Sequence, residues 1–184
     1  RPSSDLWRTS LQFRTLLITV LLTGIAALRA GAGKLQVATV ADAAMSLVMS
    51  LPEARVIGLP GGRTGAIRDL DADATRSVQN ADAVVVGPGM ERSTATQRVA
   101  RAVIADARAT IVLDAGALDA SAVAAFRRRR SADVAMVMTP HAGEMASLLE
   151  TDEDIVRANA EAIAREYARA WNVVLVLKGP TTWI

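Results

Sequence analysis

The feature that most constrains this chain is a set of four short aliphatic runs, each closed by a turn signal: Ala83–Gly87 (AVVVG), Thr110–Asp114 (TIVLD), Val134–Thr139 (VAMVMT) and Val173–Lys178 (VVLVLK). Continuous rather than alternating apolarity predicts strands covered on both faces. Helical segments lie between them. Ser93–Arg108 opens on a Ser/Thr cap and carries Val99, Val103 and Ile104, and Asp152–Ala170 alternates Ala, Ile and Val with charge and reads as one longer helix. Lys34–Val40 and Arg55–Leu59 are weaker strand candidates, with a helix from Asp42 to about Ser50 between them. The β-α-β-α alternation with short connections predicts an α/β fold with a doubly wound, mostly parallel central sheet and helices on both faces. No internal repeat or linker interrupts residues 1–184, which predicts a single domain. Leu59–Gly65 (LPGGRTG) and the Asp/Ala stretch Asp69–Ala74 read as surface connections.

Composition removes several alternatives. The 184 residues include no cysteine, so disulfide scaffolds and thiolate metal or redox sites are excluded. With 51% hydrophobic residues and a formal charge of only +2, the chain can bury enough surface to fold, unlike charge-rich disordered sequences. Lys34 and Lys178 are its two lysines. Such a small excess of charge, spread over arginines, gives no broad nucleic-acid footprint. The four-arginine run Arg127–Arg130 reads as a solvated helix C-terminus whose cations complement the macrodipole, against a phosphate or nucleic-acid patch.

The longest apolar run, Leu16–Leu28, lies between Arg14 and Arg29. A membrane span needs about 20 apolar residues, so the run is too short. A secretory signal is the sharper alternative, but Arg29 stands where a cleavage region is small and neutral. A buried strand from Phe13 to about Val20, followed by a buried helix to Ala30, fits better and implies a cytoplasmic protein.

In open parallel sheets, ligands bind beyond the carboxyl ends of the strands, so the residues after each run are the informative ones. Gly87-Pro88-Gly89-Met90 is a side-chain-poor turn leading to a helix N-terminus, able to admit a ligand or simply to connect strand and helix. Asp114 stands at a strand end beside Gly116, placed to hold a ligand hydroxyl or hydrated Mg²⁺, or to cap the next helix. The single histidine, His141, follows Thr139-Pro140 at a third strand end, which favours a functional over a structural role. Lys178-Gly179-Pro180-Thr181-Thr182 offers a cation, a glycine turn and two hydroxyls to a nucleotide's phosphates. It lacks the P-loop order.

Taken together, VVVGPGM (Val84–Met90), VLDAGAL (Val112–Leu118), MTPHAGEMASLL (Met138–Leu149) and VLVLKGPTTWI (Val174–Ile184) resemble, in order and spacing, the ADP- or ATP-dependent NAD(P)H-hydrate dehydratases, which have a ribokinase-like fold. GIAALRAGAG (Gly24–Gly33) is similar to that family's early helix and turn. The resemblance implies repair of hydrated NADH or NADPH: the hydrate hydroxyl, a poor leaving group, is phosphorylated by ADP or ATP with Mg²⁺, and phosphate is then expelled. It also implies that Gly87, Gly89, Asp114 and His141 contact the hydrated dinucleotide, and that Lys178, Gly179, Pro180, Thr181 and Thr182 bind the nucleotide. No resident metal site, nucleic acid or membrane is implied; a homo-oligomer is. The family's Gly-Asp segment, with its catalytic aspartate and anion hole, is expected beyond Ile184. Its glycine-rich stretch after the first strand is missing at Thr19/Val20, and Glu91 replaces a glycine after Met90. The domain therefore reads as incomplete, and a catalytically inactive nucleotide-binding remnant or a small-molecule kinase of the ribokinase-like class are the alternatives.

Overall fold

The computed structural model describes residues 17–62, 66–129 and 134–184. A helix over 17–29 (α1) precedes β1 (Leu35–Val40), α2 (Ala41–Ser50) and β2 (Ala54–Leu59). Then follow α3 (Ala72–Gln79), β3 (Ala83–Val86), α4 (Thr94–Asp106), β4 (Thr110–Leu113), a 3₁₀ turn at Ala115–Ala117 and α5 (Ala120–Arg127). The chain ends with β5 (Met136–Met138), α6 (Ala142–Leu149), α7 (Glu153–Ala158), α8 (Ala160–Trp171) and β6 (Val174–Leu175). The strands pair in parallel throughout, as β1-β2 and as a four-stranded sheet β3-β4-β5-β6. Each step in the second sheet moves to the adjacent position in the same direction. Right-handed crossovers therefore carry successive helices to one face.

The register shows which face that is. Val86, Ile111, Leu113, Met136, Met138 and Leu175 share one side and are all buried. They pack with Ala100, Val103 and Ile104 of α4, Val123 and Phe126 of α5 and Met145 of α6. On the other side Val85 and Val174 are 48% and 45% exposed, and Val112 and Val137 are half-buried. Burial on that face is thus less than the continuous apolar runs predict. A second, smaller core of Ile57, Leu59 and Ala74 lies under β2, and half-buried Leu70 packs against both cores.

Four local expectations are corrected. Residues 17–20 are helical, so the strand expected over Phe13–Val20 does not form there, and residues 13–16 lie outside the described residues. No turn residue separates strand from helix in that run, and Thr23 Oγ1 donates to Thr19 O at 2.8 Å, one helical turn back. Nor is α1 fully buried: Ile18 and Leu22, one turn apart, are exposed, and the helix instead touches the core at Gly24, beside Leu35 and Leu51. Asp69–Ala74 is not all connection, because Asp71 caps α3, its Oδ1 accepting from Asp73 N (3.0 Å) and Ala74 N (2.8 Å). The helix expected over Asp152–Ala170 is two, broken at Asn159, whose side-chain Nδ2 donates to Ile155 O at 2.9 Å and competes with the helical ladder.

The arginine run is also divided. α5 ends at Arg127, Arg128 is its C-cap, and Arg129 turns back to donate to the carbonyls of Ile104 and, at 2.7 Å, Ala107. Arg130 lies outside the described residues. In the LPGGRTG stretch, Leu59 is the buried last residue of β2 and Gly61 bridges Ile67, while residues 63–65 are not described. Among the described residues no helix is long and apolar enough to cross a membrane.

Candidate functional site

Because β3 to β6 are parallel, their carboxyl ends share one edge, and the loops that leave them meet there. The first two are locked together. Gly87 has φ +117°, and a Cβ on it would lie 1.7 Å from the carbonyl oxygen of Asp114. Gly116 is equally constrained, since a Cβ there would stand 2.2 Å from Met90 O. Gly89 has φ +75° and lets the turn close with Met90 N donating to Gly87 O at 2.8 Å. Ala115 holds a left-handed φ of +46°, a conformation that a non-glycine residue keeps only when its surroundings dictate it.

Asp114 is the hub of this edge. Its backbone N–H donates to Val86 O at 3.0 Å, which fixes it to the end of β3. Its Oδ1 accepts from Thr139 Oγ1 at 2.7 Å and from Lys178 Nζ at 2.8 Å. Burial pushes the carboxyl up, but the hydrogen bonds from Lys178 and Thr139, the lysine's charge and the Ala115 N–H outweigh it and hold Asp114 below its ordinary value. Asp114 is therefore a carboxylate at neutral pH.

His141 follows β5 and is the N-cap of α6. Its Nδ1 accepts from the backbone N–H groups of Gly143 (3.0 Å) and Glu144 (3.3 Å), while Glu144 Oε2 accepts from His141 N at 2.8 Å. This is a reciprocal capping box with an imidazole in the place usually taken by a hydroxyl or carboxamide. The ring remains 58% exposed and lines an open depression of about 330 Å³, together with Met90, Arg92, Gly116, Glu144 and Ser147. Arg92 spans this depression, donating to Ser147 Oγ of α6 and to Leu118 O (3.3 Å), both neutral oxygens.

The last loop is a tight hairpin. Leu177 N donates to Trp183 O (2.9 Å) and Trp183 N to Leu177 O (3.1 Å), so Gly179, Pro180, Thr181 and Thr182 form its exposed tip. Trp183 packs on the main core and anchors it. Lys178 N donates to Pro140 O at 2.8 Å, which sets the hairpin beside His141. The structure thus brings Gly87, Gly89, Asp114, His141 and Lys178 to one edge, but it directs the Lys178 ammonium to Asp114 rather than leaving it with the threonines of the tip. Neither Asp114 nor Lys178 lines the depression. Thr139, Arg92 and Ser147 are members of the site that sequence reasoning missed. Thr139 had a signal, being a hydroxyl at a strand's carboxyl end; Arg92 and Ser147 lie on separate elements, and only folding brings them together. Among the described residues, no three His, Asp or Glu side chains converge to hold a metal.

Residues 19–184 match the family model described as NAD(P)H-hydrate dehydratase. The chain is 40% identical over 169 residues to the ADP-dependent (S)-NAD(P)H-hydrate dehydratase of Xanthomonas campestris pv. campestris, covering 90% of this chain and 55% of that protein. It is 30% identical to the enzyme of the same description from Bacillus subtilis, covering 89% of this chain and 54% of that one. The crystal structure of the Bacillus subtilis ADP/ATP-dependent NAD(P)H-hydrate dehydratase, co-crystallised with ATP and Mg²⁺, superposes with a TM-score of 0.70 at 26% identity, over 91% of this chain and 55% of that one. The chain spans about half the length of these relatives. A ribokinase-like protein from Enterococcus faecalis, at 21% identity and TM-score 0.65, shares the fold.

Proposed function

Since the chain belongs to the NAD(P)H-hydrate dehydratase family, we propose that it serves nucleotide-dependent dehydration of hydrated NADH or NADPH, with the dinucleotide over the depression at His141 and the nucleotide at the Lys178–Thr182 hairpin. The observation that carries this reading is the convergence of four strand-end loops on Asp114, a carboxylate held by Lys178 and Thr139 between the two places. The hairpin tip fits a polyphosphate: it is exposed, kept free of side-chain bulk by Gly179, and flanked by two hydroxyls. Mg²⁺ suits such phosphates, being a hard cation that keeps several waters and takes one or two carboxylates plus phosphate oxygens instead of a protein cage. The protein's own part is positioning and charge stabilisation: the backbone at Gly87 and Gly89 admits the ligand closely, and Lys178 stands ready to neutralise phosphate charge.

In the reaction, the hydrate's hydroxyl oxygen gives up its proton and takes the terminal phosphoryl group of the nucleotide, which leaves one phosphate shorter. The ring nitrogen's lone pair then expels phosphate, and loss of a proton from the neighbouring ring carbon restores the double bond of NADH or NADPH. The same reading places the protein in the cytoplasm as a homo-oligomer. It is tested by mixing the full-length protein with ADP or ATP, Mg²⁺ and hydrated NADH and following the return of NADH absorbance. Recovery that depends on nucleotide supports the reading; its absence in a folded full-length protein refutes it.

A further inference from the structure

His141 has two edges, and the structure assigns them different tasks. Nδ1 faces two backbone N–H groups, those of Gly143 and Glu144, at 3.0 and 3.3 Å. A protonated Nδ1 would point a third N–H at these two donors, so the geometry requires a lone pair there. The ring's proton then sits on Nε2. That edge is 3.6 Å from Glu144 Oε1, beyond hydrogen-bonding range, and belongs to a side chain that lines the depression and is 58% exposed. Glu144 is tied elsewhere, through Oε2 on the His141 backbone N–H. Glu153, which like the ring lies against Gly143, is paired with Arg157 of α7.

We propose that the cap on α6 locks His141 as the Nε2–H tautomer, making it a fixed hydrogen-bond donor into the depression and not a proton acceptor. Its ligand is an acceptor oxygen, and the nearby Arg92 guanidinium, which donates to the neutral oxygens of Ser147 and Leu118, favours an anionic one such as a dinucleotide phosphate. The identity of that ligand rests on the function proposed above; the tautomer does not.

Two substitutions separate the edges. His141→Asn places its Oδ1 near the position of Nδ1 and keeps the cap while deleting the outer donor. His141→Gln carries an N–H group out to the Nε2 position and gives up the cap; His141→Ala loses both. In full-length protein the Asn variant should melt close to the parent, whereas Gln and Ala should melt about 1–3 °C lower, the order of shift that loss of one N-cap produces in a protein of a few hundred residues. With NAD⁺ and NADH as calorimetric probes, Asn and Ala should bind on the order of tenfold more weakly than the parent, as for a lost bond to a charged oxygen, and Gln should recover most of the affinity. Equal loss of binding in Gln and Ala overturns the donor role. Imidazole ¹⁵N spectra of the ligand-free protein test the tautomer directly: Nδ1 should appear unprotonated and Nε2 protonated, and the reverse pattern or an imidazolium refutes the lock. A confirmed tautomer with no dinucleotide binding in the parent refutes the functional reading and leaves the lock standing.

Discussion

Asp114 sits where burial and bonding pull its carboxyl in opposite directions, and the bonds prevail. The sign of the consequence follows. Because the folded carboxyl gives up its proton more readily than the unfolded one, the group stabilises the fold above the unfolded value of 3.8 and loses that contribution as pH falls through the lower folded value. In urea titrations, Asp114→Asn should therefore be less stable than the parent at neutral pH, with the gap closing only below about pH 4. A gap unchanged down to about pH 3 contradicts this. A neighbouring position answers to sterics. Gly87→Ala forces a Cβ onto Asp114 O at a φ of +117°, and should cost at least about 3 kcal/mol. Gly33→Ala, with nothing within 4 Å, should stay within about 0.5 kcal/mol in the same denaturation series.

At the scale of elements, the arginine run shows how one helix can finish another. Arg129 gives its guanidinium to two carbonyls at the C-terminal end of α4, groups that a helix end leaves without partners. Arg129→Ala should destabilise by about 1–3 kcal/mol in chemical denaturation, whereas Arg127→Ala and Arg128→Ala, both exposed, should change stability by less than about 0.5 kcal/mol. Sequence patterning could not single out the third of four identical residues, because the carbonyls it meets lie more than twenty residues away. The strands of the main sheet were readable for the opposite reason: Ile111, Leu113, Met136 and Met138 announce themselves by local apolarity alone. What went unread was decided by competition within a turn, as at Asn159, or by a polar helix such as α3 whose one buried residue is Ala74. The site divides in the same way. Asp114, His141 and Lys178 were legible because strand ends in a parallel sheet are a known address, while the Lys178–Asp114 pairing spans 64 residues and needs the fold.

Across the whole molecule, stability is unevenly shared. The main core joins β3 to β6 with four helices' worth of fully buried side chains, whereas the core beneath β1-β2 has Ile57, Leu59 and Ala74 and reaches the larger one through Leu70. Native-state hydrogen exchange should accordingly find the amides of Ile111–Leu113 the slowest, with those of Val56–Gly58 opening at a lower free energy. Equal protection of both sheets would show that they unfold as one unit. The Lys178–Asp114 contact bears on the proposed function in another way. It is a tether between the hairpin and the loop after β4, so anything that draws the ammonium toward a phosphate must also release the carboxylate. Coupling free energies are reciprocal. Under the proposed function, a nucleotide that loosens Asp114 for the dinucleotide would therefore itself be held differently once the dinucleotide is present, by the same factor, and order of addition would leave the final balance untouched.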